Sequence, residues 1–385
     1  MSRAAQKGDS DVLVIGAGPA GAAAATVLAR AGVDVAVVDR ARFPRDKVCG
    51  DAVSNGAMDL LDGLGAGDDV RAGPHAIVER GVAVFPNGAR VGREYARPGY
   101  IVRRVDLDDA IKRAAERTGA RVFEGTAVRE LVMDGDRVCG ARGPELDWSA
   151  KLVIAADGYG SVGLAAVGRD KPRGRALGVS STAYVRGMTY PDGERTADHF
   201  FERDLPCGYA WIFPEVEGLA NVGVYLREDT YRAAGIPLKQ LLDNFIARHP
   251  ERFGSAEMVG KVRTWSLPLA PAPGPSAGHG VILAGDAGGF IDPLSGEGIW
   301  QAPHTGRLAG QLATAAIGAG GELTAPLLRG FERACEESIW RPSRAKAVTQ
   351  EVMRQVVRAG LYRLPPLIAA LRWAYRRRSF EMTKA

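Results

Sequence analysis

The first forty residues alternate short apolar runs with one glycine-rich turn and one alanine-rich segment. Residues 11–15 (DVLVI) form a short, mainly apolar run, which predicts a buried strand of a parallel sheet. Glycine-rich residues 16–21 follow, and an alanine-rich segment to about residue 31 predicts a helix. Residues 33–38 (VDVAVV) predict the next strand, so the pattern as a whole is that of a β-α-β unit.

Farther along the chain, apolar and polar positions alternate in two separate regions. Residues 76–102 alternate around a turn at 86–88, and residues from about 172 to 267 predict a second, largely antiparallel sheet. Further elements are predicted as a helix over 105–118, strands over 121–131, 152–156 and 281–284, and helices after about 301. The predicted fold class is α/β, with a Rossmann-like domain interleaved with a mixed or antiparallel-sheet domain and followed by C-terminal helices.

The amino-acid composition mainly excludes other classes of protein. Of the 385 residues, 46% are hydrophobic and 25% are charged, which leaves room for two domains and excludes disorder, collagen and coiled coil. The four cysteines lie far apart without a CxxC pair, so neither a disulfide framework nor a metal site is predicted. We see no targeting segment and no uninterrupted apolar span, which predicts a cytoplasmic protein.

The first glycine turn has the spacing of a dinucleotide-binding site. The sequence GAGPAG stands between the predicted strand and helix, and Asp39 ends the second strand. Glycines let the backbone approach a pyrophosphate, the helix N-terminus faces its charge, and the acid accepts a hydrogen bond from a ribose hydroxyl. The candidate cofactor-binding residues here are Gly16, Gly18, Pro19, Ala20, Gly21, Asp39 and Arg40.

A second glycine-rich motif occupies residues 285–299 (GDAGGFIDPLSGEGI). Asp286 follows an apolar strand and could hold a polyol, while residues 296–298 are predicted to begin a helix with backbone N–H groups facing a developing anion. Together the two motifs favour FAD. Its ADP half is expected on residues 16–39, its ribityl chain on Asp286 and its pyrimidine edge on residues 296–298.

Two further motifs complete a resemblance to a known family. Residues 43–51 (FPRDKVCGD) are similar to an FPRxKxCG loop, and residues 208–214 (GYAWIFP) are similar to a YxWxFP box. With residues 104–108 (RVDLD), similar to an RxxxD element, the chain resembles the FAD-dependent geranylgeranyl reductase family, within the p-hydroxybenzoate hydroxylase-fold superfamily. The resemblance implies a flavoprotein that reduces C=C bonds of a prenyl or isoprenoid substrate by hydride transfer from reduced flavin. NAD(P)H or another reductase would supply the electrons.

The resemblance also implies roles for individual residues. Cys49 is expected beside the flavin as a proton donor, with Gly296 and Gly298 at the reacting end, and a structural cysteine is the alternative. Cofactor contacts are further expected at Arg45, Cys49, Gly50, Asp51, Arg104, Ala127, Asp157, Gly285, Asp286, Pro293, Gly296, Glu297, Gly298 and Ile299. An apolar substrate cavity is expected to be walled by Tyr209, Trp211, Phe213 and Pro214, although alternating aromatics are also common in sheet cores.

The expected domain boundaries follow from these assignments. Residues 1–75, 101–170 and 275–320 are predicted to form a discontinuous FAD-binding domain, residues 76–100 and 171–274 a substrate-binding β-sheet domain, and residues 321–385 a helical region. The basic segment 361–378 is interpreted either as a helix on an anionic membrane surface or as a packed surface helix. The expected partners are a hydrophobic or lipid substrate and an electron-donor protein, and no nucleic acid is expected.

An alternative function stays open at this level. Residues 157–162 are similar to the DGxxSxVR motif of flavin hydroxylases, but Gly163 stands where its arginine is expected, which weakens a hydroxylase-like role for NAD(P)H. Because one fold hosts many chemistries, a flavin-dependent tailoring enzyme is the alternative, as a monooxygenase, a dehydrogenase or, less favoured, a halogenase. The WxWxIP box of halogenases is matched only in part by residues 209–214.

Overall fold

The computed structural model describes residues 6–272, 274–366 and 369, and within them sixteen strands form two eight-stranded sheets. In chain order the strands are β1 (Gln6–Ile15), β2 (Val35–Asp39), β3 (Ala52–Val53), β4 (Ala76–Val84), β5 (Arg90–Ile101), β6 (Arg121–Glu124), β7 (Glu130–Asp134), β8 (Arg137–Gly143), β9 (Leu146–Ala155), β10 (Leu177–Arg186), β11 (Thr196–Phe200), β12 (Gly208–Pro214), β13 (Leu219–Arg227), β14 (Glu257–Pro268), β15 (Ala277–Gly278) and β16 (Val281–Leu283). The helices are α1 (Pro19–Arg30), α2 (Asn55–Leu64), α3 (Gly67–Ala72), α4 (Arg104–Arg117), α5 (Glu228–Ala234), α6 (Leu238–Arg248), α7 (Pro250–Phe253), α8 (Gln301–Gly318), α9 (Ala325–Cys335) and α10 (Arg341–Arg358).

The first sheet has a parallel centre in the order β16, β9, β1, β2, β6. Val12 and Val14 of β1 pack toward α1, α4 and α8, whereas Leu13 and Ile15 pack toward β8 and residues 164–167. Both faces of β1 are therefore covered at residues 12–15, which explains why that part of the strand is continuously apolar. The predicted β-α-β unit is confirmed by β1, α1 and β2.

The second sheet has the order β14, β10, β13, β12, β11, β4, β5, β3 and is antiparallel except for the pair β11 and β4. One of its faces is covered by α6, whose Leu241, Leu242 and Phe245 are fully buried. The sequence pattern predicts this sheet but not helices α5 to α7 within it. Proline and glycine flank these short helices, so their apolar positions resemble the short runs of the neighbouring strands.

One predicted strand is wrong in its extent. Residues 121–131 do not form a single strand, because β6 ends at Glu124 and the chain turns at Gly125, whose φ is +70°. The next strand, β7, begins at Glu130 and pairs with β8. A left-handed backbone conformation at one glycine is sufficient to end the strand.

Two connections bring the sheets together around the site. The loop 40–51 leaves β2 of the first sheet and leads into β3, which pairs with β5 of the second sheet. Helix α10 also holds the second sheet, since Gln350 Nε2 donates to the carbonyls of Cys207 (2.9 Å) and Pro293 (2.6 Å).

Most of the basic carboxyl-terminal segment 361–378 lies outside the residues that the structure describes. Of residues 361–378, which were interpreted as a basic helix, only 361–366 and 369 are described, with a short turn at Leu361–Arg363. Among the described residues, we find no helix that combines the length and the apolar character needed to cross a bilayer.

Candidate active site

A large cavity lies between the two sheets, with a volume of about 1070 Å³. Small-molecule pockets usually measure about 300–1,000 Å³, so this cavity has room for a sizeable ligand. Its lining comes from the turn after β1, the loop 39–56, residues 286–302 and one face of the second sheet.

The glycine turn after β1 forms one end of the cavity. Gly16 has a φ of +100°, and a Cβ there would lie 2.4 Å from the Ala156 carbonyl oxygen. A Cβ on Gly21 would lie 1.8 Å from the Gly16 carbonyl oxygen, so the turn and α1 touch through bare backbone. The N-cap of α1 is Gly18, and no side chain caps the helix. Its first N–H groups therefore remain available to an anion.

Charged side chains surround this glycine turn. Asp39 at the end of β2 accepts hydrogen bonds from the Ala17 and Ala41 N–H groups, both at 2.8 Å. The Arg45 guanidinium lies beside Gly18, with Nη2 3.4 Å from the position of a Cβ there, and it forms an ion pair with buried Asp108 at 2.7 Å. A positive group thus stands at the open end of α1.

Asp157 and Gly163 lie after β9, next to the same turn. Burial raises the pKa of Asp157, whose Oδ2 accepts the Val162 N–H (3.0 Å) and whose Oδ1 is buried without a hydrogen-bond partner. A Cβ on Gly163 would lie 2.8 Å from side-chain atoms of both Ala155 and Leu283. The arginine expected from the hydroxylase motif therefore has no space at this position.

The second glycine-rich motif lies across the cavity from the loop 43–51. Asp286 follows β16 and forms an ion pair with Lys47 (2.9 Å). The predicted helix start at residues 296–298 lies too early, because α8 begins at Gln301. The Gly296 N–H donates to the Asp292 carbonyl (2.9 Å) in a tight turn, whereas the Gly298 carbonyl accepts from the Ala302 N–H (2.9 Å) just ahead of the helix. A φ of +66° at Gly296 is incompatible with a helix and ends any regular structure there. Both glycines nevertheless line the cavity.

Cys49 is held against a buried ion cluster. Arg104 makes a two-point contact with Asp108, with Nε to Oδ1 at 2.6 Å and Nη2 to Oδ2 at 2.7 Å. Burial raises the pKa of the Cys49 thiol, while the positive charge of Arg104 opposes that rise. The neighbouring Arg103 instead pairs with Glu215 at 3.5 Å and is not part of the cavity lining.

An aromatic wall, formed by Tyr209, Trp211 and Phe213 of β12, faces the cavity as the alternation predicts. The Cys49 loop lies directly on this wall, because a Cβ on Gly50 would be 3.4 Å from Trp211 Nε1 and 3.5 Å from Phe213. Tyr209 donates a short hydrogen bond to the Ser295 carbonyl, which joins the wall to the second glycine-rich motif. His199 lies against Tyr209 and Phe213, and burial lowers its pKa to about 4, so this imidazole is neutral.

Asn221 of β13 connects the wall to the Cys49 loop. Its amide nitrogen donates to the Cys49 carbonyl (2.8 Å) and to Asp51 Oδ2 (2.7 Å), and its amide oxygen accepts from Trp211 Nε1 (3.0 Å) and Thr182 Oγ1 (2.8 Å). All four hydrogen-bonding positions of the amide are used. The sequence analysis missed Asn221, although a single amide within the otherwise apolar strand 219–226 is a usable signal.

The cavity brings together most of the candidate residues. Those lining it are Gly16, Gly18, Pro19, Ala20, Asp39, Arg40, Arg45, Cys49, Gly50, Asp51, Arg104, Asp157, Tyr209, Trp211, Phe213, Asp286, Gly296, Glu297, Gly298 and Ile299. Those outside the lining are Gly21, Ala127, Pro214, Gly285 and Pro293. Gly21 and Gly285 allow close packing around α1. The Ala127 carbonyl packs on Gly143, while the residues on either side of Ala127, Thr126 and Val128, line the cavity.

The residues at the glycine end fit FAD. The bare backbone at Gly16 and Gly21 would be filled by any Cβ, the open helix terminus suits a pyrophosphate, and Arg45 adds a positive charge. Asp39 and Asp286 both line the cavity, where their carboxylates can accept hydrogen bonds from hydroxyl groups.

Comparisons with known proteins agree with this geometry. A family model described as an FAD binding domain matches residues 9–323. A menaquinone reductase of Mycobacterium tuberculosis is 36% identical over 79% of this chain and 76% of its own length. A digeranylgeranylglycerophospholipid reductase of Methanopyrus kandleri is 33% identical over 80% of this chain and 81% of its own length.

Solved structures share the fold. A geranylgeranyl bacteriochlorophyll reductase-like protein of Thermoplasma acidophilum has a TM-score of 0.84 at 24% identity, covering 94% of this chain and 92% of that protein. A flavin-dependent brominase has a TM-score of 0.75 at 22% identity, covering 95% and 92%. At these identities the likeness concerns the fold alone, and FAD is the cofactor that the family match supports.

Proposed function

Because the chain belongs to the FAD-dependent geranylgeranyl reductase family, we propose that it reduces C=C bonds in the prenyl chain of a lipid or quinone. The observation that carries the proposal is the continuity of the cavity. One end has the glycine turn and charges suited to FAD, and the other end is walled by Tyr209, Trp211 and Phe213. An apolar substrate would thus share one enclosed space with the flavin.

We assign the cofactor to residues along the first end. Gly16, Gly18 and the open start of α1, with Arg45, would hold the pyrophosphate, and Asp39 would hold the ribose. Asp286, paired with Lys47, would hold the ribityl chain, and the turn 296–298 would face the pyrimidine edge. When bound in its reduced form, FAD supplies hydride for the reduction.

The chain's own groups would orient the substrate and supply the proton. The aromatic wall excludes water and holds the alkene, because its three rings lie on one face of β12. Cys49 lines the cavity beside Gly50, which packs on this wall, and we assign its thiol as the group that gives a proton to an alkene carbon. Arg104 and the Asp51 N–H then stabilise the thiolate that remains.

The proposal also includes a source of electrons and a contact with a membrane. NAD(P)H or an electron-donor protein would reduce the flavin, and the basic carboxyl-terminal segment would bring the enzyme to a membrane that contains its lipid substrate. The absence of an arginine at position 163, where Gly163 is tightly packed, is consistent with a donor site unlike that of the hydroxylases.

The direct test offers prenyl substrates to the reduced enzyme without oxygen. FAD-loaded protein is reduced chemically and mixed with a geranylgeranyl lipid or with menaquinone, and the products are examined by mass spectrometry. We expect the addition of two hydrogens per reduced double bond, together with oxidation of one flavin per bond.

A matched reaction separates this function from a tailoring enzyme. The same reduced protein is mixed with oxygen and with each substrate, with and without halide. Oxygenated or halogenated products without any anaerobic reduction would contradict the reductase proposal and favour the alternative.

A further inference from the structure

The loop that contains Cys49 also contains a buried carboxylic acid, Asp51, to which the proposed reduction assigns no side-chain role. Asp51 is fully inaccessible to solvent and has a φ of +61°. Its Oδ2 accepts hydrogen bonds from the Tyr184 hydroxyl (2.6 Å) and from Asn221 Nδ2 (2.7 Å). Its Oδ1 is buried and has no hydrogen-bond partner. An ionised carboxylate with one unpartnered oxygen is costly at such a site.

This hydrogen-bond pattern indicates where a proton is held. Two donors already point at Oδ2, so a protonated Asp51 carries its hydrogen on Oδ1. Burial raises the pKa of Asp51 to about 7, and the hydrogen bonds from Tyr184 and Asn221 oppose that rise only in part. Asp51 is therefore an acid that both holds and releases a proton near neutral pH.

Asp51 and Cys49 are mechanically and electrostatically joined. The Asp51 backbone N–H hydrogen-bonds the Cys49 side chain, and Asn221 binds the Cys49 carbonyl and the Asp51 carboxyl together. The pKa of the buried Cys49 thiol lies above its ordinary value of 9.0, and the charge of Asp51 contributes to that rise. The raised pKa of the thiol therefore favours the return of a proton to Cys49.

Tyr184 donates a hydrogen bond to Asp51 from β10 of the second sheet. The residue is only half-buried, and the Arg103 guanidinium lies 5.7 Å from its ring centre. Glu215 lies beyond it, where burial and the charge of Asp51 raise its pKa to about 7. The titratable and charged groups around Asp51 are Tyr184 on β10, Glu215 after β12, Arg104 on α4, and Cys49 and Asp46 in its own loop.

We propose that Asp51 is the proton store that recharges the Cys49 thiol after each double bond is reduced, and that Tyr184 connects Asp51 with solvent. The inference rests on the proposed function. In each cycle the alkene receives hydride from the reduced flavin, the Cys49 S–H bond breaks and a C–H bond forms. The Asp51 Oδ1–H bond then breaks as S–H re-forms. The Tyr184 hydroxyl passes its hydrogen to Asp51 Oδ2 and takes another from water, and rotation of the carboxyl group returns the O–H to the Oδ1 position.

The test compares the first turnover with later turnovers. FAD-loaded wild-type protein, Asp51→Asn and Tyr184→Phe are reduced chemically without oxygen and mixed with a geranylgeranyl lipid, with excess reductant. In Asp51→Asn we expect the first turnover to slow less than about threefold and later turnovers to slow by about tenfold or more. We expect wild-type later turnovers to decline above about pH 7, and the later turnovers of Asp51→Asn should lack that decline. Tyr184→Phe should slow the later turnovers only.

A spectroscopic measurement reports on the same proton without turnover. Infrared difference spectra between about pH 6 and about pH 8 should show a protonated-carboxyl carbonyl band in wild type that Asp51→Asn lacks. Absence of that band, or equal slowing of first and later turnovers in Asp51→Asn, overturns the inference, because Asp51 would then only position the loop. If wild type reduces no prenyl substrate, the proposed function fails instead, while the band still reports the proton on Asp51.

Discussion

Replacing Asp51 by Asn should change how the folding stability of the FAD-free protein depends on pH. The pKa of Asp51 is raised by burial to about 7 in the folded chain, against about 3.9 for an unfolded aspartate. The folded protein therefore binds this proton more tightly than the unfolded chain does. Its stabilising contribution is complete below about pH 4 and is lost progressively as the pH rises to about 7.

The magnitude follows from the difference between the two pKa values. A difference of about three units corresponds to about 4 kcal/mol over the whole range, of which about 3 kcal/mol falls between pH 5 and pH 8. Asparagine cannot ionise, and it tolerates the left-handed backbone conformation at position 51. The variant should therefore lack this pH-dependent loss of stability.

Urea unfolding of both proteins, followed by circular dichroism at several pH values from 5 to 8, measures the effect. We expect the stability of wild type relative to Asp51→Asn to fall by about 3 kcal/mol across that range. Asp136→Asn is the matched control, since that side chain is 93% exposed and the same exchange there should leave the pH dependence intact. A wild-type-minus-variant difference that stays constant with pH would refute the reasoning, because Asp51 would then ionise as an ordinary aspartate.

Three further variants test the site. Gly21→Ala places a Cβ 1.8 Å from the Gly16 carbonyl oxygen, and such overpacking typically destabilises the local structure by about 1–3 kcal/mol. We therefore expect weaker FAD binding in a titration. The control is Gly330→Ala, whose added Cβ points into open space and should leave FAD binding unchanged. Cys49→Ala should retain FAD but lose about a hundredfold or more in anaerobic prenyl reduction; unchanged turnover would remove the thiol from the mechanism. Trp211→Phe removes one hydrogen bond to Asn221, and a raised KM with unchanged FAD affinity is expected.

Much of the fold was predictable because its signals are local. A run of apolar residues, a glycine turn and an acid at the end of the next strand are specified within about thirty residues, and β1, α1 and β2 follow them closely. The aromatic wall was predictable for the same reason, since alternation along one strand determines which side chains share a face. The predicted strand through Gly125 and the predicted helix start at Gly296 were wrong, because both glycines have a positive φ. The pattern of apolar residues does not reveal that backbone conformation.

The rest of the site depends on contacts that are distant along the chain. Asn221 meets Cys49 and Asp51 across about 170 residues, and neither its type nor its spacing indicates that meeting. Gly163 is similar: its sequence position suggests a lost arginine, whereas its packing against Ala155 and Leu283 shows that the neighbouring strands leave no space for one. The importance of such residues arises from the register between elements, which sequence periodicity does not contain.

The connections of Asn221 have a consequence for how the site can vary. All four of its hydrogen-bonding positions are used, two by the Cys49 loop and one by Trp211 of the aromatic wall. Loss of the Trp211 hydrogen bond leaves Thr182 as the remaining donor to Asn221 Oδ1, so a change of the wall at Trp211 weakens the hold on the amide that binds Cys49 and Asp51. Residues that shape the substrate cavity and residues that supply the proton are therefore constrained together. Changes of substrate preference should be easiest at Phe213, which packs near Gly50 and has no polar atom to bond to Asn221.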